Sequence, residues 1–336
     1  MKMEIKIKNK KIGEKHPVFV IAEGGINHNG SVKVAKKLVL KASEIGSDAI
    51  KFQTFIASDL TSIKSKYYKL FKKLELDESQ FGEISDFSKE HNIIFLSTPF
   101  SKNAVDILNR LKVPAFKIAS GDLTDIPLIK YASSKNKPMI ISTGMSKMSE
   151  VSEAINAVKS QQNKKIVLLH SVSAYPTPYN ETNLKSILTL KNKFKVPVGF
   201  SDNGNDMFVP VVAVALGAKI IEKHFTLNKN MKGPDHKLSA NPKDLKEMIQ
   251  KIRKVEEMVG DGEKYCQPSE MENRIHARRS ITANVLIPKN TKIESFMVSN
   301  KRPAIGIEPK FLSKLIGKKT RKAIKKDNSI KWEDIR

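Results

Sequence analysis

The first 258 residues of this chain alternate eight short apolar runs with amphipathic stretches. The runs lie at residues 18–23, 48–53, 93–98, 115–119, 138–143, 165–170, 196–201 and 218–224. Each is rich in Val, Ile or Phe and apolar on both faces, which is typical of parallel strands covered by helices. Eight βα units in about 250 residues predict an α/β fold of the TIM (β/α)8 barrel type. A doubly wound open sheet is the alternative, but no Gly-x-Gly-x-x-Gly motif follows the first run.

Capping residues mark where three of the intervening helices begin. Ser31 can cap the first helix, and Asp77 followed by Gln80 has the spacing of a capping box. Asn241-Pro242 predicts the start of a helix that runs to about residue 258.

The character of the sequence changes after residue 258. Residues 259–276 are polar, include Gly-Asp-Gly and Gln-Pro, and are predicted to be a linker between the barrel of residues 1–258 and a second domain. Residues 277–336 hold short β-type pieces separated by turn signals around Asn290, Pro303 and Asp327. They predict a small β-rich domain.

Composition limits the compartment in which the protein works. The chain has one cysteine, Cys266, so no disulfide can form within it, and we expect a cytoplasmic location. No run of 18 apolar residues is present, and the N-terminal segment lacks the apolar core of a signal peptide. We therefore expect no membrane partner.

The net charge of +25 has two interpretations. One is nucleic-acid binding through phosphate contacts, and the other is a solvated lysine-rich surface that attracts an anionic small substrate. The basic residues are spread over the whole length, and no basic motif is interleaved with aromatic residues. We therefore expect no nucleic-acid partner.

Polar residues stand at the end of each predicted strand, where a barrel places its chemistry. In chain order they are Glu23, Gly24, Gly25, Asn27 and His28; Lys51 and Gln53; Ser97 and Thr98; Lys117, Ser120 and Asp122; Ser142, Thr143 and Gly144; His170, Ser173 and Tyr175; Ser201, Asp202 and Asn203; Glu222, Lys223 and His224. A lysine within a buried strand is costly unless it meets an anion. Lys51 and Lys117, with the hydroxyls and a glycine-rich turn, therefore predict a site for phosphate and carboxylate groups. A single such residue is more often a satisfied core polar group, so the prediction rests on all eight strand ends together.

Residues 55–76 form a longer connection than a βα loop needs. They carry several lysines and the pair Tyr67-Tyr68. The segment is either a surface extension or a lid over the mouth of the barrel, and both interpretations stay open.

The motifs AEGGINHNG, DAIKFQTF, FLSTPF, AFKIASGD, IISTGM, YPTPY, EKHFTLNKNMKGPDH and NKRPAIG follow one another along the chain. In this order and spacing the chain resembles the sialic acid synthase family, which includes N-acetylneuraminate, legionaminic acid and pseudaminic acid synthases. The resemblance covers residues 17–336, and residues 277–336 resemble the SAF, or antifreeze-like, domain of these enzymes. That likeness is to a fold and does not imply ice binding.

The resemblance implies a reaction and a set of site residues. Phosphoenolpyruvate condenses with an N-acyl-hexosamine, either N-acetylmannosamine or a related 2,4-diacetamido-trideoxy hexose, to give a nonulosonic acid of the sialic type and phosphate. The substrate-binding positions it implies are Lys51, Gln53, Thr98, Lys117, Ser120, Ser142, Ser173, Ser201 and Arg302. The positions it implies around the sugar and the reacting carbons are Glu23, Asp122, Tyr175 and Asp235.

The resemblance also implies a divalent metal, Mn²⁺ or Mg²⁺, that polarises the sugar aldehyde. His224 matches one ligand. The second is usually the histidine of a Ser-Asp-His sequence, where this chain has Ser201-Asp202-Asn203. Asn203 offers a neutral oxygen, which suits a hard cation but binds it more weakly. His236 either compensates or is structural, and the sequence leaves that choice open.

Arg302 matches an arginine that the C-terminal domain of one subunit places in the barrel of its partner, so we expect a homodimer that acts in trans. Two other functions compete with this interpretation. One is another phosphoenolpyruvate-dependent synthase of 3-deoxy sugar acids, which the YPTPY, GPDH and KRP motifs disfavour. The other is a non-catalytic carbohydrate-binding protein, which the presence of both strand lysines disfavours.

Overall fold

All eight predicted strands are present in the computed structural model, which describes residues 4–336. The chain folds as two units, Met1–Gly260 and Asp261–Arg336. The strands are β1 Ile5–Ile7, β2 Lys10–Ile12, β3 Phe19–Gly25, β4 Ala49–Thr54, β5 Ile94–Pro99, β6 Phe116–Ile118, β7 Met139–Ser142, β8 Ile166–Ser171, β9 Val198–Asp202, β10 Ile220–His224, β11 Ser280–Ala283 and β12 Val298–Lys301.

Strands β3 to β10 form one parallel sheet in the order β5-β4-β3-β10-β9-β8-β7-β6. The first and last strands of the set, β3 and β10, pair with each other, for example Ile220 with Phe19 and His224 with Glu23. The two ends of the order, β5 and β6, lie beside each other. The sheet is therefore a nearly closed barrel of the TIM type, which confirms the predicted fold class.

In the first unit the helices alternate with these strands and cover the barrel, and the last two helices of the chain lie in the second unit. The helices are α1 Val32–Glu44, α2 Ala57–Leu60, α3 Tyr68–Leu74, α4 Glu78–Glu90, α5 Lys102–Arg110, α6 Ile126–Ser134, α7 Met148–Ser160, α8 Ser186–Phe194, α9 Phe208–Ala215, α10 Pro242–Val259, α11 Met271–Ala277 and α12 Leu312–Leu315. No helix among residues 4–336 is long and apolar enough to cross a bilayer.

The predicted helix caps are confirmed. The Ser31 hydroxyl accepts from the backbone N–H of Val34 at 3.4 Å. Asp77 and Gln80 form a reciprocal capping box at 2.8 and 2.9 Å. Asn241 caps α10, whose first residue is the proline. Each cap satisfies backbone groups that a helix start leaves without partners, which fixes where the connection from the preceding strand ends.

A short N-terminal hairpin, β1 with β2, was not predicted from the sequence. Its isoleucines Ile5, Ile7 and Ile12 pack in one cluster with barrel residues near the strand starts, including Phe19 and Ile94. Three-residue strands are too short to show a period in the sequence. The apolar packing fills the N-terminal part of the barrel interior and leaves the C-terminal strand ends for polar residues.

The second unit has its own core around the antiparallel pair β11–β12. The core residues are Ile281, Ala283, Ile287, Ile293, Val298, Ile307, Leu315, Ile324, Ile330 and Ile335. Asn290 and Asp327, at two of the predicted turns, have φ angles of 64° and 65°. Asn and Asp adopt this left-handed conformation most readily among residues with a side chain. The range predicted as a linker, 259–276, holds most of α11, which has no buried residue.

A glycine in β9 tests how tightly the barrel is packed. A Cβ on Gly199 would lie 2.4 Å from the Ile220 carbonyl oxygen and 2.7 Å from Leu169 Cδ2. We expect Gly199→Ala to lower the free energy of unfolding by about 1–3 kcal/mol. Gly82→Ala is the matched control, because a Cβ at that helical site would meet only Leu111 Cδ2, at an ordinary contact distance of 3.6 Å, and alanine favours helix by up to about 1 kcal/mol. Equal effects in urea unfolding would contradict this packing.

Candidate active site

The barrel interior changes from apolar to polar along each strand. Side chains alternate between the two faces of a strand, so residues two apart share the inner face. Each inward row begins with apolar residues and ends with polar ones: Ile21 then Glu23, Ala49 then Lys51 and Gln53, Leu96 then Thr98, Ala115 then Lys117, Ile140 then Ser142, Leu169 then Ser171, Gly199 then Ser201, Ile220 then Glu222 and His224. The polar ends meet because all the strands are parallel, and they form the floor of a cavity at the C-terminal end of the barrel.

Four ionisable groups form a buried cluster at this floor. Lys51, Lys117, Glu23 and Glu222 are each no more than 5% exposed. Lys51 Nζ lies 2.5 Å from Glu23 Oε2 and 3.7 Å from Glu222 Oε2, and it donates to Thr98 Oγ1 at 3.0 Å. Lys117 Nζ lies 3.6 Å from Glu222 Oε1 and donates to the Ile118 carbonyl at 3.1 Å. Each lysine thus meets a carboxylate, as a buried charge must.

Burial is the largest influence on the pKa of every member of the cluster. It raises the pKa of Glu23 to about 7, against the charge of Lys51, and it lowers the pKa of Lys117 despite the charge of Glu222. It opposes charge on Glu222 and Lys51 as well. Their neighbours outweigh it there, so the pKa of Glu222 is lowered and that of Lys51 is raised. Glu23 is therefore the carboxyl that exchanges a proton near neutral pH.

Hydroxyl groups surround a glycine next to the charged cluster. A Cβ on Gly144 would lie 2.4 Å from Ser173 Oγ and 2.8 Å from Ser120 Oγ, so only glycine fits between these two serines. The Ser142 hydroxyl is buried and has no hydrogen-bond partner. Such a group costs free energy unless a ligand or water satisfies it. The arrangement suits the oxygens of an anion held between hydroxyls and the lysines.

Further residues that the resemblance implies lie around Glu23 and His224. Glu23 Oε1, Gln53 Nε2 and Asp235 Oδ2 all lie within 4 Å of the Cβ position of Gly25. The rings of Tyr175 and His224 meet edge to face at 6.0 Å. Burial and then the charge of Asp235 raise the pKa of Tyr175 to about 12, so its hydroxyl keeps its proton at neutral pH.

Thirteen of the fifteen predicted site residues line one cavity of about 610 Å³. They are Glu23, Lys51, Gln53, Thr98, Lys117, Ser120, Ser142, Ser173, Tyr175, Ser201, Asn203, His224 and Asp235. Asp122 does not line it, although its Oδ2 is buried without a partner and burial and then Asp125 raise its pKa to about 6. Arg302 belongs to the second unit and lines a separate cavity there with Pro303.

The predicted metal ligands fit a cation only in part. His224 Nδ1 is buried and has no hydrogen-bond partner, as a ring nitrogen reserved for a ligand would be. Asn203 Nδ2 donates to the Val172 carbonyl at 2.8 Å, which leaves Oδ1 as the atom it can offer. Residues 4–336 contain no group of three or more His, Cys, Asp or Glu that could hold a metal. His236 is fully buried and both of its ring nitrogens have partners, Thr226 Oγ1 and Asn29 Nδ2, so it does not compensate for Asn203.

Two features of the site had no assigned role in the sequence prediction. Glu222 was recognised at a strand end but given no function, and it joins the two lysines and accepts from Ser201 Oγ at 2.9 Å. The sequence signal for a role of Glu222 was its position two residues before His224, which places both side chains on the same face of the strand. Lys223, on the opposite face, is buried against Asp202 Oδ2 at 2.5 Å and donates to the Gly204 carbonyl. This pair holds the turn that carries Asn203.

The comparison with known families agrees with this geometry. The sequence model of the NeuB family matches residues 38–264, and that of the SAF domain matches residues 278–336. The chain belongs to the NeuB family. The first match includes seven of the eight barrel strands, and the second includes both strands of the smaller unit.

Relatives of this NeuB-family chain match it over nearly its whole length. The N,N'-diacetyllegionaminic acid synthase of Campylobacter jejuni is 40% identical over 329 residues, 93% of this chain and 98% of that protein. The pseudaminic acid synthase of Campylobacter jejuni is 35% identical over 333 residues, 95% of this chain and 97% of that protein. The crystal structure of N-acetylneuraminic acid synthetase from Leptospira borgpetersenii, in complex with citrate, covers 81% of this chain and 95% of its own at a TM-score of 0.78 and 35% identity.

The buried charge cluster makes a prediction about stability. Glu222→Gln leaves the two buried lysines of the cluster with Glu23 as the remaining carboxyl group, and we expect the free energy of unfolding to fall by about 3–5 kcal/mol. Removing a lysine as well, in Glu222→Gln with Lys117→Met, is expected to cost about 1–3 kcal/mol less than the sum of the single changes.

The control is the exposed pair Lys89–Asp86, whose charged atoms lie 2.7 Å apart. Its double-mutant cycle should give less than about 1 kcal/mol, because water screens exposed pairs. Additive losses at Glu222 and Lys117 would show that the two side chains do not interact.

Proposed function

We propose that this NeuB-family chain condenses phosphoenolpyruvate with the aldehyde of an N-acyl-hexosamine to give a nonulosonic acid and phosphate. The observation that carries the proposal is the pair of buried lysines beside a pocket of serine hydroxyls on the floor of the barrel. Phosphoenolpyruvate bears a carboxylate and a phosphate close together, and two cations with several hydroxyls match that pattern. The names of the three relatives described above, which are legionaminic, pseudaminic and N-acetylneuraminic acid synthases, support the same reaction.

Residues at the floor of the cavity have different roles in the steps of the proposed reaction. Carbon 3 of phosphoenolpyruvate forms the new bond with the aldehyde carbon, and the aldehyde oxygen takes the proton of the neutral Glu23 carboxyl, which becomes a carboxylate. Positive charge then develops at carbon 2, where the carboxylates of Glu23 and Glu222 stabilise it. Water adds to carbon 2 and gives up a proton, for which Glu23 is suited by its pKa of about 7. The bond from carbon 2 to the phosphate oxygen breaks as the new hydroxyl becomes the keto oxygen of the product. The phosphate takes the hydroxyl proton and leaves toward Lys51, Lys117 and the serines.

We also propose a divalent cation, Mn²⁺ or Mg²⁺, at His224 and Asn203. The unpartnered Nδ1 of His224 supports it, and two protein donors suffice for a hard cation that keeps water or substrate oxygens as its other ligands. When bound there, the cation would supply Lewis acidity to the aldehyde oxygen. The Lys223–Asp202 pair holds the turn that carries Asn203, and both Asn203 and His224 line the cavity.

The direct test is release of phosphate from phosphoenolpyruvate. The purified protein should release it only when Mn²⁺ or Mg²⁺ and an N-acyl-hexosamine are both present, and a chelator should stop the release. The sugars to compare are N-acetylmannosamine, its 6-phosphate and a 2,4-diacetamido-trideoxy hexose. If none of them supports release, the proposed function is wrong.

The pKa of Glu23 predicts how phosphoenolpyruvate binding varies with pH. Below about pH 7 this carboxyl is neutral, so Glu23 has no charge that competes with the substrate for Lys51. Above pH 7 its charge competes for the lysine, so the affinity should fall by up to about tenfold per pH unit. Titration calorimetry without sugar measures this.

The control is Glu23→Gln, which carries no titrating group but retains the ionisation of the substrate itself. The fall in affinity above pH 7 should disappear in this variant. If the two proteins give the same pH profile, the competition between Glu23 and the substrate does not exist.

We further propose a homodimer in the cytoplasm, in which Arg302 of one subunit serves the barrel of the other. The exposed side chain of Arg302 supports this, as do uncovered apolar residues of the second unit such as Leu286 and Phe296. A guanidinium at a cavity mouth can hydrogen-bond the N-acyl carbonyl and exclude water.

Mixing two inactive variants tests action in trans. Lys117→Ala and Arg302→Ala are dissociated together and reassociated, so that mixed dimers form. In trans, both defects fall in one site of a mixed dimer and the other site is intact, so up to about half of the activity of each mixed dimer should return. Activity at the level of the separate variants, with mixed dimers demonstrated, would mean that Arg302 acts in cis or not at all.

A further inference from the structure

The cavity has a charged floor and an apolar mouth. Among the described residues that line the cavity, the only lysines or arginines are Lys51 and Lys117, and both are buried at the floor. Nearer solvent, the lining is formed by Tyr67, Leu70 and Phe71 of the long connection after β4. Tyr67 is 52% exposed and Leu70 is 38% exposed. We call Tyr67, Leu70 and Phe71 the mouth wall.

The mouth wall is fixed to the barrel. The Phe55 ring packs edge to face on Phe71 at 5.6 Å and on Phe100 at 6.3 Å, and Leu74 at the end of α3 is buried in the same cluster. A Cβ on Gly30 would lie 2.4 Å from the Lys73 carbonyl oxygen, so the backbones of the two segments are in close contact. Helix α3 therefore presents its side chains to the cavity from a packed position.

Met145 also lies at the mouth, and its backbone has a conformation that favours glycine. Met145 has a φ of 59° and is 72% exposed, and it lines the same cavity. A long side chain in the left-handed region carries a steric cost, and such outliers gather where ligands bind. The exposed methionine side chain makes no favourable contact with water, whereas an apolar group of a ligand would pack against it.

The reaction fixes which end of the sugar meets this surface. Phosphoenolpyruvate occupies the lysines and serines of the floor, and the bond it forms is with the aldehyde carbon. That end of the open-chain sugar must therefore lie at the floor, so the far end of the sugar lies at the mouth. A phosphate or a row of hydroxyls placed against the mouth wall and Met145 would lose hydration without gaining a partner among the side chains of Leu70, Phe71 and Met145.

From this we infer that the mouth wall and Met145 select a sugar whose far end is deoxygenated and unphosphorylated, so that a methyl or an N-acyl methyl group contacts them. The inference rests on the proposed function and adds the class of acceptor. A contact of one methyl group in an apolar pocket discriminates by roughly 10- to 200-fold. The lysines of the same connection are the competing possibility, since Lys66 Nζ lies 5.0 Å from the Tyr67 ring centroid and could attract a phosphate.

The experiment compares kcat/KM for a 2,4-diacetamido-trideoxy hexose, N-acetylmannosamine and N-acetylmannosamine 6-phosphate, each with phosphoenolpyruvate and Mn²⁺. The wild-type protein should prefer the trideoxy sugar by at least tenfold. Leu70→Ser and, independently, Met145→Asn should each reduce that preference by about tenfold, mainly through a higher KM for the trideoxy sugar. Met145→Asn also relieves the backbone, so it is expected to fold as well as the wild type.

Leu188→Ser is the matched control, because Leu188 is 39% exposed on α8 and does not line the cavity. It should leave the preference unchanged. A preference for the 6-phosphate, or a preference for the trideoxy sugar that neither mouth variant reduces, overturns the inference and leaves the synthase function standing. Failure of all three sugars to release phosphate overturns the synthase function, and the inference with it.

Discussion

The interior of this barrel is organised around the burial of two lysines and two glutamates. A buried charge is tolerated only beside an opposite charge, so Lys51, Lys117, Glu23 and Glu222 must be placed within a few ångströms of one another. Four different strands deliver them, and the parallel arrangement brings all four strand ends to one side. The strands therefore have to be held in register by the apolar layer beneath, to which the N-terminal hairpin contributes.

Sequence patterns predicted the strands, the helix caps and the two lysines because each has a local signal. Which carboxylate meets which lysine had no such signal, since it depends on how far neighbouring strands are staggered. Glu222 was therefore left without a role although its strand was recognised. His236 could be judged only after Thr226 and Asn29 were seen to occupy both its nitrogens.

Other predictions concern residues outside the barrel strands, about which the strand pattern gives no information. Asp122 lies at the end of a short 3-10 helix that follows a three-residue strand. Its side chain does not line the cavity. Arg302 lies in the second unit, so its action on a barrel stays a proposal. The connection 55–76 contains two short helices, and one of them supplies the mouth wall. The charged floor suits any phosphoenolpyruvate reaction of this kind, and loop residues at the mouth are where one chain can differ from another in its acceptor.

The central claim is that the buried lysines exist to bind the anionic groups of phosphoenolpyruvate. Calorimetric titration of phosphoenolpyruvate alone into the wild-type protein and into Lys117→Ala measures this directly, without any sugar. A charge-assisted contact is worth about 1.5–3 kcal/mol, so the dissociation constant should rise by roughly 10- to 150-fold in the variant. An unchanged dissociation constant in a folded variant would show that Lys117 has a structural role only, and the account of the site would fail.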